Sequence, residues 1–175
     1  MPTLALLYFM LPAYVANLVP PLLRKVSLLD YPLELGFHFR KKPLLGSHKT
    51  WRGLVFGTAA GTVTFMLQQH FNSPGFPFVL FDYATASLWI GFLLSLGALL
   101  GDAVKSFVKR QLGIAPGKPW FVFDQIDYVA GALILVSPYV VLSLFEILLI
   151  FAWSLLLTVA VKHIGYYVGV NTVKW

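Results

Sequence analysis

The chain has 175 residues, of which 58% are hydrophobic and only 11% charged, and its mean hydropathy is +0.78. Soluble domains carry about 25% charged residues, so these proportions exclude a water-soluble globule, a disordered chain and a coiled coil. The absence of cysteine excludes a disulfide scaffold, a thiolate metal site and a cysteine nucleophile. The net charge of +6 is gathered in short runs between apolar stretches, which points to a membrane surface and anionic substrates and away from nucleic acid.

Taken in order, residues 1–23 form the first uncharged run, with Pro12 as a kink. No basic segment precedes this run and no small-residue cleavage site precedes Arg24, which favours a retained helix over a signal peptide. Residues 53–71 and 83–101 are each long enough to cover ~28 Å as a helix, close to a bilayer core. The last run, 128–161, is interrupted only by Glu146 and is far too long for one crossing. A hairpin is expected there. Its turn is placed at Ser143 and Glu146, because a carboxylate is cheapest at a membrane boundary, and Pro138 is read as a kink within the first arm.

The expected fold is therefore an all-α integral membrane protein. Its single domain has five spans, at about 2–23, 53–71, 83–101, 126–143 and 147–164. All 13 basic residues then fall on one side: seven between the first two spans, four between the third and fourth, and two, Lys162 and Lys174, at or beyond the end of the fifth. The positive-inside rule puts the N-terminus outside, the C-terminus in the cytoplasm, and the loops at about 24–52 and 105–125 on the cytoplasmic face. Gly53, Gly57 and Gly61 recur every four residues, as do Gly97 and Gly101. Close helix packing accounts for such spacing in lipid.

The chemistry concentrates in residues 101–127. If the third helix continues past Gly101, then Asp102, Lys105, Ser106 and Lys109 share one face. Gly113 and Pro116-Gly117 turn the chain, and Asp124 and Asp127 open the fourth span on one face near a helix N-terminus. Salt bridges and a helix cap would explain one such acid. Three of the chain's seven acids at a single boundary, beside Lys109 and Arg110, favour a metal–phosphate site. Oxygen ligands without Cys or clustered His suit Mg²⁺. In the first loop, residues 46–53 read GSHKTWRG. Lys49 and Arg52, flanking Thr50, either bind an anion at the start of the second span or anchor the chain at the interface. His38, His48, His70 and His163 are dispersed, and no Ser-His-Asp order supports acyl-enzyme chemistry.

The run Ser106-x-x-Lys109-Arg110, then Pro116-Gly117, then Asp124-x-x-Asp127, resembles the signature of the phosphatidate cytidylyltransferase superfamily. Bacterial and eukaryotic members usually carry a His-Gly-Gly and an Asp-Arg here. This chain instead has Lys118-Pro119-Trp120 and Asp124-Gln125. Those departures are similar to the archaeal branch, the CDP-archaeol synthases. So are Pro12-Ala13-Tyr14-x-Ala16-Asn17, Lys49-Thr50-Trp51-Arg52-Gly53, Gly101-Asp102 and the terminal Tyr167-x-Gly169-Val170 with Trp175.

The resemblance implies a Mg²⁺-dependent transfer of a cytidylyl group from CTP to an isoprenoid ether-lipid phosphate in the cell membrane, on the cytoplasmic side. It implies that Asp102, Asp124 and Asp127 hold the metal on the CTP phosphates. Lys49, Thr50, Arg52, Ser106, Lys109 and Arg110 would grip the nucleotide, with Lys109 also acting in catalysis. Two rivals are a small ion or proton transporter lined by the acids and a CDP-alcohol phosphotransferase, whose Asp-Gly-x-x-Ala-Arg core is absent from this chain. The sequence leaves the oligomeric state open, a homodimer included.

Overall fold

The computed structural model describes residues 2–72, 79–115, 118, 120 and 122–167. These form six helices and one small hairpin: α1 (Pro2–Phe9), α2 (Leu11–Leu22), β1 (His38–Phe39), β2 (Lys42–Pro43), α3 (Trp51–His70), α4 (Trp89–Gln111), α5 (Phe123–Val136) and α6 (Leu144–Tyr167). The first expected span is broken. α1 and α2 meet at an angle of 48°, just before Pro12, whose ring cannot donate and crowds the preceding turn. α3 starts at Trp51 because Thr50 caps it, its Oγ1 accepting from the Gly53 N–H at 3.2 Å.

The third expected span is displaced along the chain. Residues 83–88 are not helical, because Tyr83 is fully buried and packs on Tyr8, Phe65 and Phe81, with ring centroids 5.4, 5.5 and 4.6 Å away. Asp82 fixes this loop by accepting from the Ala84 N–H and the Thr85 hydroxyl, each at 3.0 Å. At its other end α4 runs on to Gln111, and the chain turns at Gly113, whose φ is +79°.

The fourth span differs as well. α5 ends at Val136 rather than continuing to 143, so Pro138 terminates the helix instead of kinking it. The expected turn at Ser143 and Glu146 is the start of α6. Ser143 Oγ accepts from the Glu146 N–H (3.3 Å), and the Glu146 carboxylate accepts from the Ser143 N–H (2.8 Å), a reciprocal capping box. Among the described residues, α4 and α6 are long and apolar enough to cross a membrane, and α1 with α2 makes a third candidate if the bent pair is one span. α5 has 14 residues and covers ~21 Å.

Small residues let the helices touch. A Cβ at Gly57 would lie 2.8 Å from the Ala16 carbonyl oxygen, and one at Gly97 would lie 2.5 Å from that of Gly131. In lipid, where burial between helices brings no hydrophobic gain, such backbone approach is a main source of packing. The loop at 79–88 and the segment 137–146 line one cavity together at one end of the bundle, with Asp82, Tyr139 and Glu146. Lys49, Asp102, Lys105, Lys109, Asp124 and Asp127 gather at the other.

In the first loop, the β1–β2 hairpin turns through Arg40 and Lys41, both with positive φ (51° and 62°). Lys42 Nζ ties it to the end of α4, donating to the Gln111 carbonyl at 2.7 Å. Glu34 accepts from the N–H groups of Leu45 and Gly46 at 2.7 and 3.0 Å. Burial works against the charge of Glu34, yet these bonds hold its carboxyl below the usual carboxylate range.

Candidate active site

Because α4 continues past Gly101, Asp102, Lys105 and Lys109 point the same way, towards the first turn of α5. Lys105 Nζ lies 2.9 Å from Asp102 Oδ1, 3.1 Å from Asp124 Oδ1 and 2.9 Å from Asp127 Oδ2. Lys109 Nζ contacts both oxygens of Asp124 at 3.1 and 3.2 Å and donates to the Lys118 carbonyl at 2.6 Å. Asp124 also accepts from the Trp120 N–H at 2.5 Å. Lys49, from the first loop, pairs with the other oxygen of Asp102. Three carboxylates and three ammonium groups thus form one connected cluster built from a loop and two helices. The first turn of α5 adds its helix dipole in favour of Asp124.

The other expected site residues are engaged elsewhere. Arg52 is buried, pairing with Asp30 at 2.9 Å and donating to the Val26 carbonyl, so it holds the segment after α2 in place. Ser106 donates to the carbonyl of Asp102, one turn back (2.9 Å), and Thr50 is occupied as the cap of α3. Arg110 is buried on the side of Gly46, and its Nε has no hydrogen-bond partner among the described residues. Pro116-Gly117 and residues 168–175 lie outside the described residues.

Helical spacing puts Lys105 on the right face but assigns it no role. Its i+3 spacing from Asp102 was the available signal. Gln125 has no site role by sequence, yet it is 3% exposed, and its Oε1 has no hydrogen-bond partner among the described residues. A side chain between two motif acids gives no sign in the sequence of facing inward.

Cavities open beside the cluster. A groove of about 570 Å³ runs between α4 and α5. Gly97, Ile134 and Leu135 line one end and Val108, Trp120 and Phe123 the other, with Lys105 and Asp127 as its charged lining. Its apolar walls are exposed: Val104 is 62% and Ile134 70% accessible. A second cavity of about 270 Å³ lies between α2, α5 and α6 and includes Asn17, Asp124, Tyr128 and Thr158. Two bonds brace its walls, the buried Tyr14–Ser154 pair (2.7 Å) and the half-buried Tyr128–Thr158 pair (3.1 Å).

This arrangement, an acidic and basic cluster beside an open apolar groove, has relatives. The CarS-like family model, described as CDP-archaeol synthase, matches residues 2–175. The chain belongs to the CDP-archaeol synthase family. It is 36% identical over 183 residues to the CDP-archaeol synthase of Methanocaldococcus jannaschii, covering 98% of this chain and 96% of that one. With the CDP-archaeol synthase of Methanococcus aeolicus it shares 32% identity over 174 residues, covering 95% and 93%. A solved structure described as an intramembrane enzyme for archaeal membrane lipids biosynthesis superposes with a TM-score of 0.69 at 32% identity, over 89% of this chain and 90% of that one. Membership of the CDP-archaeol synthase family makes the chain a membrane enzyme, a CTP-dependent nucleotidyltransferase, rather than an ion or proton carrier.

Proposed function

We propose that the enzyme transfers CMP from CTP to 2,3-bis-O-geranylgeranylglycerol 1-phosphate, giving a CDP-linked ether lipid and pyrophosphate, with the Asp102–Asp124–Asp127 cluster as the reaction centre on the cytoplasmic face. The observation that carries this reading is the junction at Lys105 and Asp127, where the exposed apolar groove between α4 and α5 reaches the charged cluster. A phosphate on a long apolar tail fits that junction. The tail stays in the groove and the leaflet, and the phosphate reaches the cluster, where water-soluble CTP can also arrive.

In the reaction, an oxygen of the lipid phosphate bonds to the α-phosphorus of CTP while the bond from that phosphorus to the bridging oxygen breaks. The electron pair leaves with pyrophosphate. The nucleophile is already an anion near neutral pH, so no strong general base is needed, and the protein's contribution is positioning and charge. Lys109, 7% exposed, is a preorganised cation for a nucleotide phosphate, and Lys49 is a second, delivered by the loop. Arg110, whose buried Nε has no hydrogen-bond partner among the described residues, is a third. Thr50, Arg52 and Ser106 act one step back, fixing the backbone from which Lys49 and Lys109 reach in.

The donor set suits a hard divalent cation such as Mg²⁺. It consists of carboxylate oxygens alone, and buried Asp127 Oδ2 meets only the Lys105 ammonium, 2.9 Å away, among the described residues. With the Lys105 ammonium among them, no three acidic or histidine side chains of the described residues stand in metal-holding geometry. Asp102, Asp124 and Asp127 would hold the ion, which when bound supplies charge neutralisation for the CTP phosphates. The test is pyrophosphate release from CTP in detergent, with and without the ether-lipid phosphate and with Mg²⁺ or chelator. Release that requires both additions is expected; release indifferent to the lipid would defeat the assignment.

A further inference from the structure

We propose that Lys105 is a positioning residue: its ammonium is the resident counter-cation of Asp102, Asp124 and Asp127, and it must leave their oxygens for a divalent cation to enter. The inference rests on the metal reading above and deepens it, by naming the group that sets when the metal is taken up.

Among the described residues, Lys105 is the one side chain that contacts all three carboxylates; of these, Lys49 touches Asp102 and Lys109 touches Asp124. The Asp127 side chain is 7% exposed and those of Lys105 and Asp124 are each 14% exposed. Three carboxylates so close together and so little hydrated repel one another strongly unless a cation sits between them. Before any metal arrives, Lys105 is that cation, and it holds the first turn of α5 against α4.

The geometry also makes ammonium and metal mutually exclusive. The nitrogen–oxygen distances are 2.9–3.1 Å, whereas Mg²⁺ binds oxygen at about 2.0–2.1 Å. The oxygens must therefore draw inward by roughly 1 Å, onto the space the ammonium fills. Lys105 also lines the α4–α5 groove, so its four-carbon stem has room to swing. Once displaced, the ammonium lacks a partner unless an anion comes with the metal. A nucleotide supplies one. The divalent cation alone is then taken up weakly and the cation with CTP strongly, and by linkage each raises the affinity for the other.

The experiment is thermal unfolding of the full chain in detergent, without lipid substrate, titrated with Mg²⁺ in the presence and absence of CTP. Wild type, Lys105→Met and Lys105→Arg are compared. Lys105→Met should unfold at a lower temperature in chelator and be restored by Mg²⁺ alone, with a Mg²⁺ midpoint at least tenfold below that of wild type. CTP should lower the midpoint strongly in wild type and Lys105→Arg, and little in Lys105→Met. A merely structural lysine would weaken the protein without tightening its hold on metal. Equal midpoints in wild type and Lys105→Met, or a higher one in the variant, would overturn the inference while leaving the metal site standing. No response of wild type to Mg²⁺ with CTP would overturn both. If Lys105→Met does not fold, amine acetylation of wild type read by mass spectrometry decides: modification of Lys105 should rise at high Mg²⁺ without CTP, where the displaced ammonium has no anion, and an unchanged or reduced level there overturns the displacement.

Discussion

Gly101 of α4 lies directly against the backbone carbonyl of Asp127 on α5, so closely that a Cβ at position 101 would overlap that oxygen. The absent side chain lets the two helices bring Asp102 and Asp127 to one ammonium group. Gly101→Ala is therefore expected to push α5 outward, at a cost of about 1–3 kcal/mol in stability for an overpacked contact, and to lower CTP turnover by more than tenfold. Unfolding temperature and pyrophosphate release measure the two effects. Wild-type turnover in the variant would mean that the reaction tolerates a looser pair of helices.

Asp124→Asn keeps the volume and the bond from the Trp120 N–H but removes the charge facing Lys105 and Lys109. It should abolish turnover and leave the protein folded. Retention of more than about a tenth of the wild-type rate, a barrier change under ~1.4 kcal/mol, would reduce Asp124 to a brace for the start of α5.

Lys109→Met and Lys41→Met each remove one positive charge from the same end of the protein. Lys109 is 7% exposed and bound to Asp124, whereas Lys41 stands at the exposed tip of the β1–β2 hairpin. Loss of a preorganised cation costs about 10²–10³ in rate by analogy with other charge-stabilising groups, so Lys109→Met should show that loss and Lys41→Met little. Equal losses of CTP turnover in the two variants would remove the nucleotide role from Lys109.

The chain has no native cysteine, so single cysteines report topology directly. Ala84→Cys, in the exposed loop before α4, is expected to react with an impermeant thiol reagent from outside intact cells, and Lys41→Cys only after lysis. The reverse pattern would invert the proposed orientation.

Glu34 governs the pH response of the first loop. Its folded carboxyl titrates below the ordinary value, so its stabilising effect is complete above the unfolded value of about 4.3 and is lost as the pH falls through the lower folded one. Glu34→Gln weakens two charge-assisted bonds by about 1 kcal/mol in total, or roughly 2–4 °C in unfolding temperature. The difference between wild type and variant should be constant from pH 7 to pH 5 and shrink below pH 4. A difference that grows on acidification would contradict this account.

The sequence alone determined where most helices lie and which polar residues share a face. Helical hydrogen bonds are local, so an apolar run must satisfy its own backbone, and i+3 and i+7 spacing put Lys105 and Lys109 on the Asp102 side of α4 before any partner was known. The resemblance carried by the Ser-x-x-Lys-Arg and Asp-x-x-Asp runs identified the chemistry for the same reason, since short motifs sit on continuous helices. Where α4 begins and where α5 ends depends on packing between distant segments. Tyr83 is drawn out of a helical run by a pocket of aromatic rings from α1 and α3, and Pro138 ends a helix that hydropathy would have continued. The tertiary structure also decides which cations meet the carboxylates. Lys49 and Arg52 are three residues apart, yet Lys49 reaches Asp102 while Arg52 turns to Asp30 and the Val26 carbonyl. A long charged side chain takes whichever partner the fold brings within reach, and spacing along one segment carries no information about the segments that will pack against it.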